Sequence, residues 1–291
     1  MKPEAIDLYN EYIHGDMPRR AFLQRLAGIA GSAAAASTLL AALEPNYAWG
    51  QQVAEDDPRL ETGYVEYPGR EGGVRGYLAR PRGAAGALPG VLVIHENRGL
   101  NAHIEDVARR AALAGYLALA PDGLTYAGGA PTDQEAARDL FGRSDRGRIT
   151  DDVIAGVPWL AARSDCSGPV GTVGFCYGGG VALLCAAREP ATAAAVCFYG
   201  RALGEEDVAS VRAPLMMHYA GKDERINQGI PAFRALLDNH EVPYSLHMYP
   251  GTGHGFHNDT SAARYAPESA ALAWRRTLAF FGDYLGAAAS G

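Results

Sequence analysis

From about residue 60 onward, the chain alternates short apolar runs with longer amphipathic segments. Strands rich in Val, Ile, Leu and Ala are predicted near residues 90–96, 116–121, 170–175, 193–199, 214–220 and 244–249. Strands this uniformly apolar are typical of a parallel sheet covered by helices on both faces. The pattern therefore predicts an α/β fold with a mostly parallel central sheet. An antiparallel pair at about 64–68 and 74–81, with Gly72-Gly73 in its turn, is expected to open the sheet.

Helices are predicted between these strands. Apolar residues at helical spacing mark one helix from about 104 to 113, a second near 150–163 and a closing helix from Ala266 to Leu285. A polar insertion is expected at about 125–148. The span from about 55 to 291 is long enough for one domain with a large core, and no repeat or second domain is evident.

Residues 1–50 have a different pattern. Arg19-Arg20 is followed by Phe22-Leu23 and by an uncharged run, Leu26 to Leu43, dominated by alanine. This order is typical of a twin-arginine export signal, which would place the protein in the periplasm. The run is too rich in alanine for a stable membrane span.

Two features count against export. The segment before the arginines is long and acidic, with Glu4, Asp7, Glu11 and Asp16, and no clear cleavage site appears at 44–50. The alternative is a cytoplasmic protein whose N-terminal helices stay attached and pack on the domain.

Composition narrows the functional classes. The net charge of −7 is spread without runs, which argues against nucleic-acid binding. The four cysteines form no Cys-x-x-Cys pair, and at most one disulfide could join two of Cys166, Cys185 and Cys197. His254 and His257 are neighbours, but no third ligand has an evident spacing, so neither a metal nor a cofactor is expected.

The strongest chemical signal is Gly174-Phe175-Cys176-Tyr177-Gly178, between a β-branched strand and a helix. This Gly-x-Cys-x-Gly segment has the pattern of the nucleophile elbow of α/β-hydrolases, with cysteine in place of serine. The glycines are required because bulky side chains two residues away would collide in so sharp a turn. The helix N-terminus favours the thiolate of Cys176.

An activated cysteine needs a histidine and an orienting acid, which in α/β-hydrolases follow the nucleophile as acid, then histidine. Asp223 follows the strand at 214–220, and His254 lies in a glycine-rich loop after the strand at 244–249. Glu224 competes with Asp223, while His218, His247 and His257 compete with His254. The glycine loop and the strand-end positions favour Cys176, Asp223 and His254, with Asp223 hydrogen-bonded to His254.

Three segments resemble the dienelactone hydrolase (carboxymethylenebutenolidase) family over residues 60 to 285: His95-Glu96-Asn97-Arg98-Gly99, the elbow, and Gly253-His254-Gly255-Phe256. The resemblance implies the α/β-hydrolase fold and a Cys176, Asp223, His254 triad. It also implies that Glu96 holds the resting thiol and releases it when substrate arrives. A charge at the end of an apolar strand otherwise needs a partner.

The chain departs from this family at the substrate carboxylate. Two family arginines are absent: the matching loop, 124–131, contains Tyr126 but no arginine, and the position four after His254 is Asn258. Tyr126 and Asn258 are therefore candidate substrate contacts. Arg98 is the cation that the sequence suggests as a replacement for the family arginines. Without the family arginines, anionic lactones are expected to lose binding relative to neutral esters.

The sequence therefore predicts a hydrolase of a small ester or lactone that forms a thioester acyl-enzyme. The backbone N–H groups of Tyr177 and Asn97 are the expected oxyanion hole. A thioesterase or broad carboxylesterase is the alternative among hydrolases. A non-catalytic α/β-hydrolase-like binding protein is the alternative of another class.

Overall fold

The apolar runs form one eight-stranded sheet in a computed structural model that describes residues 2–15, 17–46 and 50–286. The strands are β1 (Leu60–Gly69), β2 (Gly72–Pro81), β3 (Leu88–Ile94), β4 (Leu117–Pro121), β5 (Cys166–Phe175), β6 (Thr192–Phe198), β7 (Leu215–Ala220) and β8 (Tyr244–Tyr249). Their order across the sheet is β1-β2-β4-β3-β5-β6-β7-β8. The strands from β4 to β8 are parallel, while β1 and β2 form the predicted antiparallel pair at one edge.

Helices cover both faces, which confirms the predicted fold class. The helices are α1 (Pro3–His14), α2 (Arg19–Ala30), α3 (Ala33–Leu43), α4 (Ala102–Leu113), α5 (Gln134–Arg143), α6 (Arg146–Ile154), α7 (Gly156–Ala161), α8 (Tyr177–Arg188), α9 (Glu205–Val208), α10 (Glu224–Asn227), α11 (Ile230–Asn239) and α12 (Pro267–Leu285). Alternate residues of β3 face opposite layers. Val91 and Val93 pack with α4 and α12, whereas Leu92 and Ile94 pack with α6, α7 and α8.

The middle of the chain differs from the prediction. The expected polar insertion contains α5, whose N-cap Asp133 accepts a hydrogen bond from the Ala136 N–H at 2.8 Å. Ala137 and Phe141 form its short buried face. The single helix expected near 150–163 is two helices, α6 and α7, because Pro158 has no N–H to donate to the preceding turn.

The described residues of the N-terminal segment, 2–15 and 17–46, include the three helices α1, α2 and α3, which share an apolar cluster of their own, including Tyr9, Phe22 and Leu40. The cluster docks on the sheet domain through hydrogen bonds. The Ser261 hydroxyl donates to the Leu43 carbonyl at 3.0 Å, and the Asn46 N–H donates to the Thr260 carbonyl at 2.7 Å. Asp16 and residues 47–49, which belong to the acidic and cleavage regions discussed above, lie outside the described residues.

Within the described part of the chain, no single helix is long and apolar enough to cross a membrane. The pair α2 and α3 passes that test together but is bent by 108°. Such a pair near the N-terminus is weak evidence for a span. The four cysteines are buried and unbridged.

Candidate active site

Cys176 lies at the junction of β5 and α8 in strained backbone. Its φ of 54° falls in the left-handed region, which non-glycine residues rarely adopt. A Cβ added at Gly174 would overlap the backbone of Gly178, and one at Gly178 would lie 2.5 Å from the carbonyl oxygens of Ile94 and His95. Both glycines of the predicted elbow are therefore required by close backbone approach.

His254 and Asp223 are brought together by the loops that follow β8 and β7. The predicted hydrogen bond is present, with 2.5 Å between His254 Nδ1 and Asp223 Oδ2. Since the carboxylate can only accept, Nδ1 carries the proton and Nε2 is left for chemistry. Both side chains are buried.

His254 Nε2 faces the sulfur of Cys176 within 4.8 Å, yet it has no hydrogen-bond partner among the described residues. Burial disfavours the imidazolium, but the charge on Cys176 and the hydrogen bond to Asp223 outweigh it and raise the pKa of His254 to about 9. A thiolate on Cys176 would therefore keep its proton on His254 at neutral pH.

The residues that competed with His254 and Asp223 in the sequence lie in other surroundings. His218 is buried in β7 between Tyr249 and Thr277, 2.9 Å and 3.2 Å from their hydroxyl groups. His257 stacks on Phe175, with 5.0 Å between the ring centroids. His247 is half-buried in β8, and Glu224 is exposed.

Glu96 is buried after β3, and its carboxylate has a partner that the sequence did not indicate. Asn258 Nδ2 donates to Glu96 Oε2 at 2.8 Å. Asn258 therefore stands at the family's arginine position but contacts Glu96, and it does not line the cavity described below.

Sequence reasoning missed one residue in contact with the proposed nucleophile. His14, at the end of α1, lies with Nε2 3.3 Å from Cys176 Sγ. Its ring packs edge-on against His254, with 4.4 Å between centroids. A contact between residues 162 positions apart leaves no local pattern in the sequence.

A cavity of about 500 Å³ opens in front of Cys176. Its wall includes Tyr177, Tyr199 and three arginines, Arg146, Arg201 and Arg225. Arg201 follows β6 and Arg225 follows Asp223. The positions of these two after strand ends are a sequence signal that could have identified them.

Two other expected substrate contacts lie elsewhere. The Arg98 guanidinium is buried and donates to the Tyr9 hydroxyl of α1 at 3.2 Å. The Tyr126 hydroxyl accepts from the Asp145 N–H at 2.8 Å, outside the cavity. Asn97, the residue after Glu96, does line the cavity. Its side chain donates a hydrogen bond to the Ile13 carbonyl at 2.8 Å.

His14, Cys176 and His254 also form the group that could hold a metal ion within the described residues, with ligand atoms within 4.8 Å of one another. Two imidazoles and a thiolate suit a soft divalent ion. The positive charges of Arg225 and Arg264 act on His14 and oppose a cation there.

A family model described as the dienelactone hydrolase family matches residues 74–285. A second model, described as YqhI-like, matches residues 1–32. A Salmonella typhi protein named "Putative carboxymethylenebutenolidase" is 31% identical over 245 residues, which cover 79% of this chain and 90% of the relative.

A Bradyrhizobium protein named "Probable 2-oxo-3-(5-oxofuran-2-ylidene)propanoate lactonase" is 36% identical over 225 residues, covering 70% of this chain and 87% of the relative. Among solved structures, one titled "Putative Dienelactone Hydrolase" from Klebsiella pneumoniae matches with a TM-score of 0.70 and 30% identity. It covers 77% of this chain and 99% of the other.

Proposed function

This chain belongs to the dienelactone hydrolase family and acts on ester or lactone bonds, and we propose that it does so through Cys176, His254 and Asp223. The observation that carries the proposal is the strained Cys176 at the start of α8, facing a histidine that a buried carboxylate orients. Turnover of a chromogenic short-chain ester by wild type and Cys176→Ala tests it, with the outcomes argued in the Discussion.

In the proposed reaction, His254 Nε2 takes the thiol proton and the sulfur attacks the substrate carbonyl carbon. The backbone N–H groups of Tyr177 and Asn97 stabilise the oxyanion. Collapse expels the alkoxide, which takes the proton from His254 and leaves a thioester on Cys176. Water then adds to the thioester with His254 as base, releasing the acid and restoring the thiol.

We further propose that the substrate carries a negative charge. This replaces the expectation from the missing family arginines, which was that anionic lactones bind weakly. Arg146, Arg201 and Arg225 line the cavity, and its acidic group Asp207 is paired with Arg188 at 3.1 Å. The lactone named for the Bradyrhizobium relative includes a propanoate group, which is consistent with this charge.

Arg201→Ala and Arg146→Ala are each expected to raise KM for a carboxylate-bearing lactone by about tenfold, because a charge-assisted hydrogen bond is lost. KM for an uncharged lactone of similar size should change little. Arg275→Ala, on the exposed face of α12, is the matched control. Equal effects on both lactones, or the same effect in Arg275→Ala, would contradict a charge-selective cavity.

For localisation, we propose that residues 1–46 stay attached to the enzyme in the cytoplasm. The residues of the twin-arginine pattern have structural partners, since Arg19 pairs with Glu135 of α5 and Phe22 is fully buried. Intact mass and cell fractionation should find the full-length chain in the cytoplasm. A periplasmic form that begins beyond residue 40 would favour the export signal.

A further inference from the structure

His14 contacts the proposed nucleophile, although the proposed reaction gives it no role. The end of α1 is held beside the elbow by the hydrogen bond from Asn97 to the Ile13 carbonyl and by the contact of Arg98 with Tyr9. Ile13 and His14 both form part of the cavity wall. The N-terminal helix is thus built into the active site.

The hydrogen bonds of His14 define which nitrogen carries its proton. Nδ1 lies 2.9 Å from the carbonyl oxygen of Asn10, one turn back in α1. A carbonyl can only accept, so the proton is on Nδ1, and the lone pair of Nε2 points at Cys176 Sγ. A bare lone pair 3.3 Å from sulfur is attractive if the sulfur is a thiol and repulsive if it is a thiolate.

The surroundings keep His14 neutral. Burial, then the charges of His254, Arg225 and Arg264, lower its pKa well below the usual value. His14 can therefore accept a hydrogen bond from the Cys176 thiol, whereas His254 can take the thiol proton as a base.

We propose that His14 is a positioning residue that holds Cys176 as a thiol in the resting enzyme and that α1 is thereby part of the active site. The inference rests on the proposed role of Cys176 as nucleophile. The family resemblance assigns this function to Glu96, whose Oε2 accepts a hydrogen bond from Asn258. The distance of 3.3 Å from His14 Nε2 to Cys176 Sγ is that of a hydrogen bond, which is consistent with a thiol proton directed at His14.

When the Cys176 thiol turns from His14 to His254, a single proton is transferred. In the resting state the S–H bond of Cys176 points at His14 Nε2. When substrate enters along the wall formed by Ile13 and His14, the thiol turns to His254, the S–H bond breaks and an N–H bond forms on His254 Nε2. His14 remains neutral throughout, and the thiolate is formed where the substrate is present.

Alkylation of Cys176 by iodoacetamide, followed from pH 5 to 10 with a chelator present and located by peptide mapping, tests the proposal on the full-length protein. His14→Phe keeps an aromatic ring but removes the acceptor. Its alkylation midpoint should fall by about one pH unit, with a rate about tenfold higher at neutral pH. His14→Gln places an amide oxygen near the position of Nε2 and should restore a midpoint close to wild type.

Leu8→Ala is the control for loosened packing, because Leu8 lies on the buried side of α1 within the N-terminal apolar cluster. The other charged and titratable groups around Cys176 and His14 are unchanged in all variants: Glu96, Arg146, Tyr177, Tyr199, Arg201, Asp223, Arg225, His254 and Arg264. An unchanged midpoint in His14→Phe, or an equal change in Leu8→Ala, would overturn the proposal. Loss of ester turnover in Cys176→Ala tests the proposed function separately, since the alkylation comparison does not depend on turnover.

Discussion

Cys176→Ala is expected to lower kcat/KM for a chromogenic short-chain ester by at least about a thousandfold. Without the sulfur no thioester can form, and His254 is left facing an empty position. Wild type mixed with the same ester should show an intact mass increased by one acyl group, and peptide mapping should place that group on Cys176. The variant should show no added mass.

Cys166→Ala is the matched control. Cys166 is buried at the beginning of β5, the strand that Cys176 follows, and it does not line the cavity. Near-normal turnover is expected from this variant. Turnover that survives in Cys176→Ala, or an acyl group on another cysteine, would refute the assignment and favour a binding protein with incidental hydrolysis.

The sheet and the elbow were predictable because local rules determine them. Runs of apolar residues with helices between them leave few topologies, and the Gly174 and Gly178 positions follow from the close approach of their own backbone. The order of acid and histidine after the nucleophile is likewise a property of the fold, so Asp223 and His254 could be placed at strand ends before their hydrogen bond was seen.

The cavity wall was harder to predict because it depends on contacts between distant parts of the chain. Arg98 is two residues from Glu96 in sequence, yet its guanidinium is buried against α1 and serves docking of that helix. His14 reaches Cys176 from the segment with the composition of an export signal. Composition alone does not distinguish a signal from a docked helix, because either can place arginines beside an apolar stretch.

Asp223→Asn is expected to lower kcat by roughly a hundredfold to ten-thousandfold, the range typical for the orienting acid of a triad. The amide can donate to Nδ1 and so favours the tautomer whose proton lies on Nε2, which cannot act as a base. Protein folding should be little affected, since the amide has the size of the carboxylate. Glu224→Gln changes the exposed neighbouring acid and should retain activity near that of wild type.

The pH profile of single-turnover acylation distinguishes loss of this charge from general damage. Once the thiol has ionised, the charge on Cys176 together with Asp223 raises the pKa of His254 to about 9, so the imidazolium formed by the proton transfer is fully kept below pH 6.5 and is lost as pH rises through about 9. Acylation, which needs the imidazolium to protonate the leaving alkoxide, should decline over the same range. Without the Asp223 carboxylate the pKa of His254 is lower, so the residual activity of Asp223→Asn should decline at lower pH. An unchanged alkaline limb in Asp223→Asn, or a displaced one in Glu224→Gln, would show that another acid orients His254.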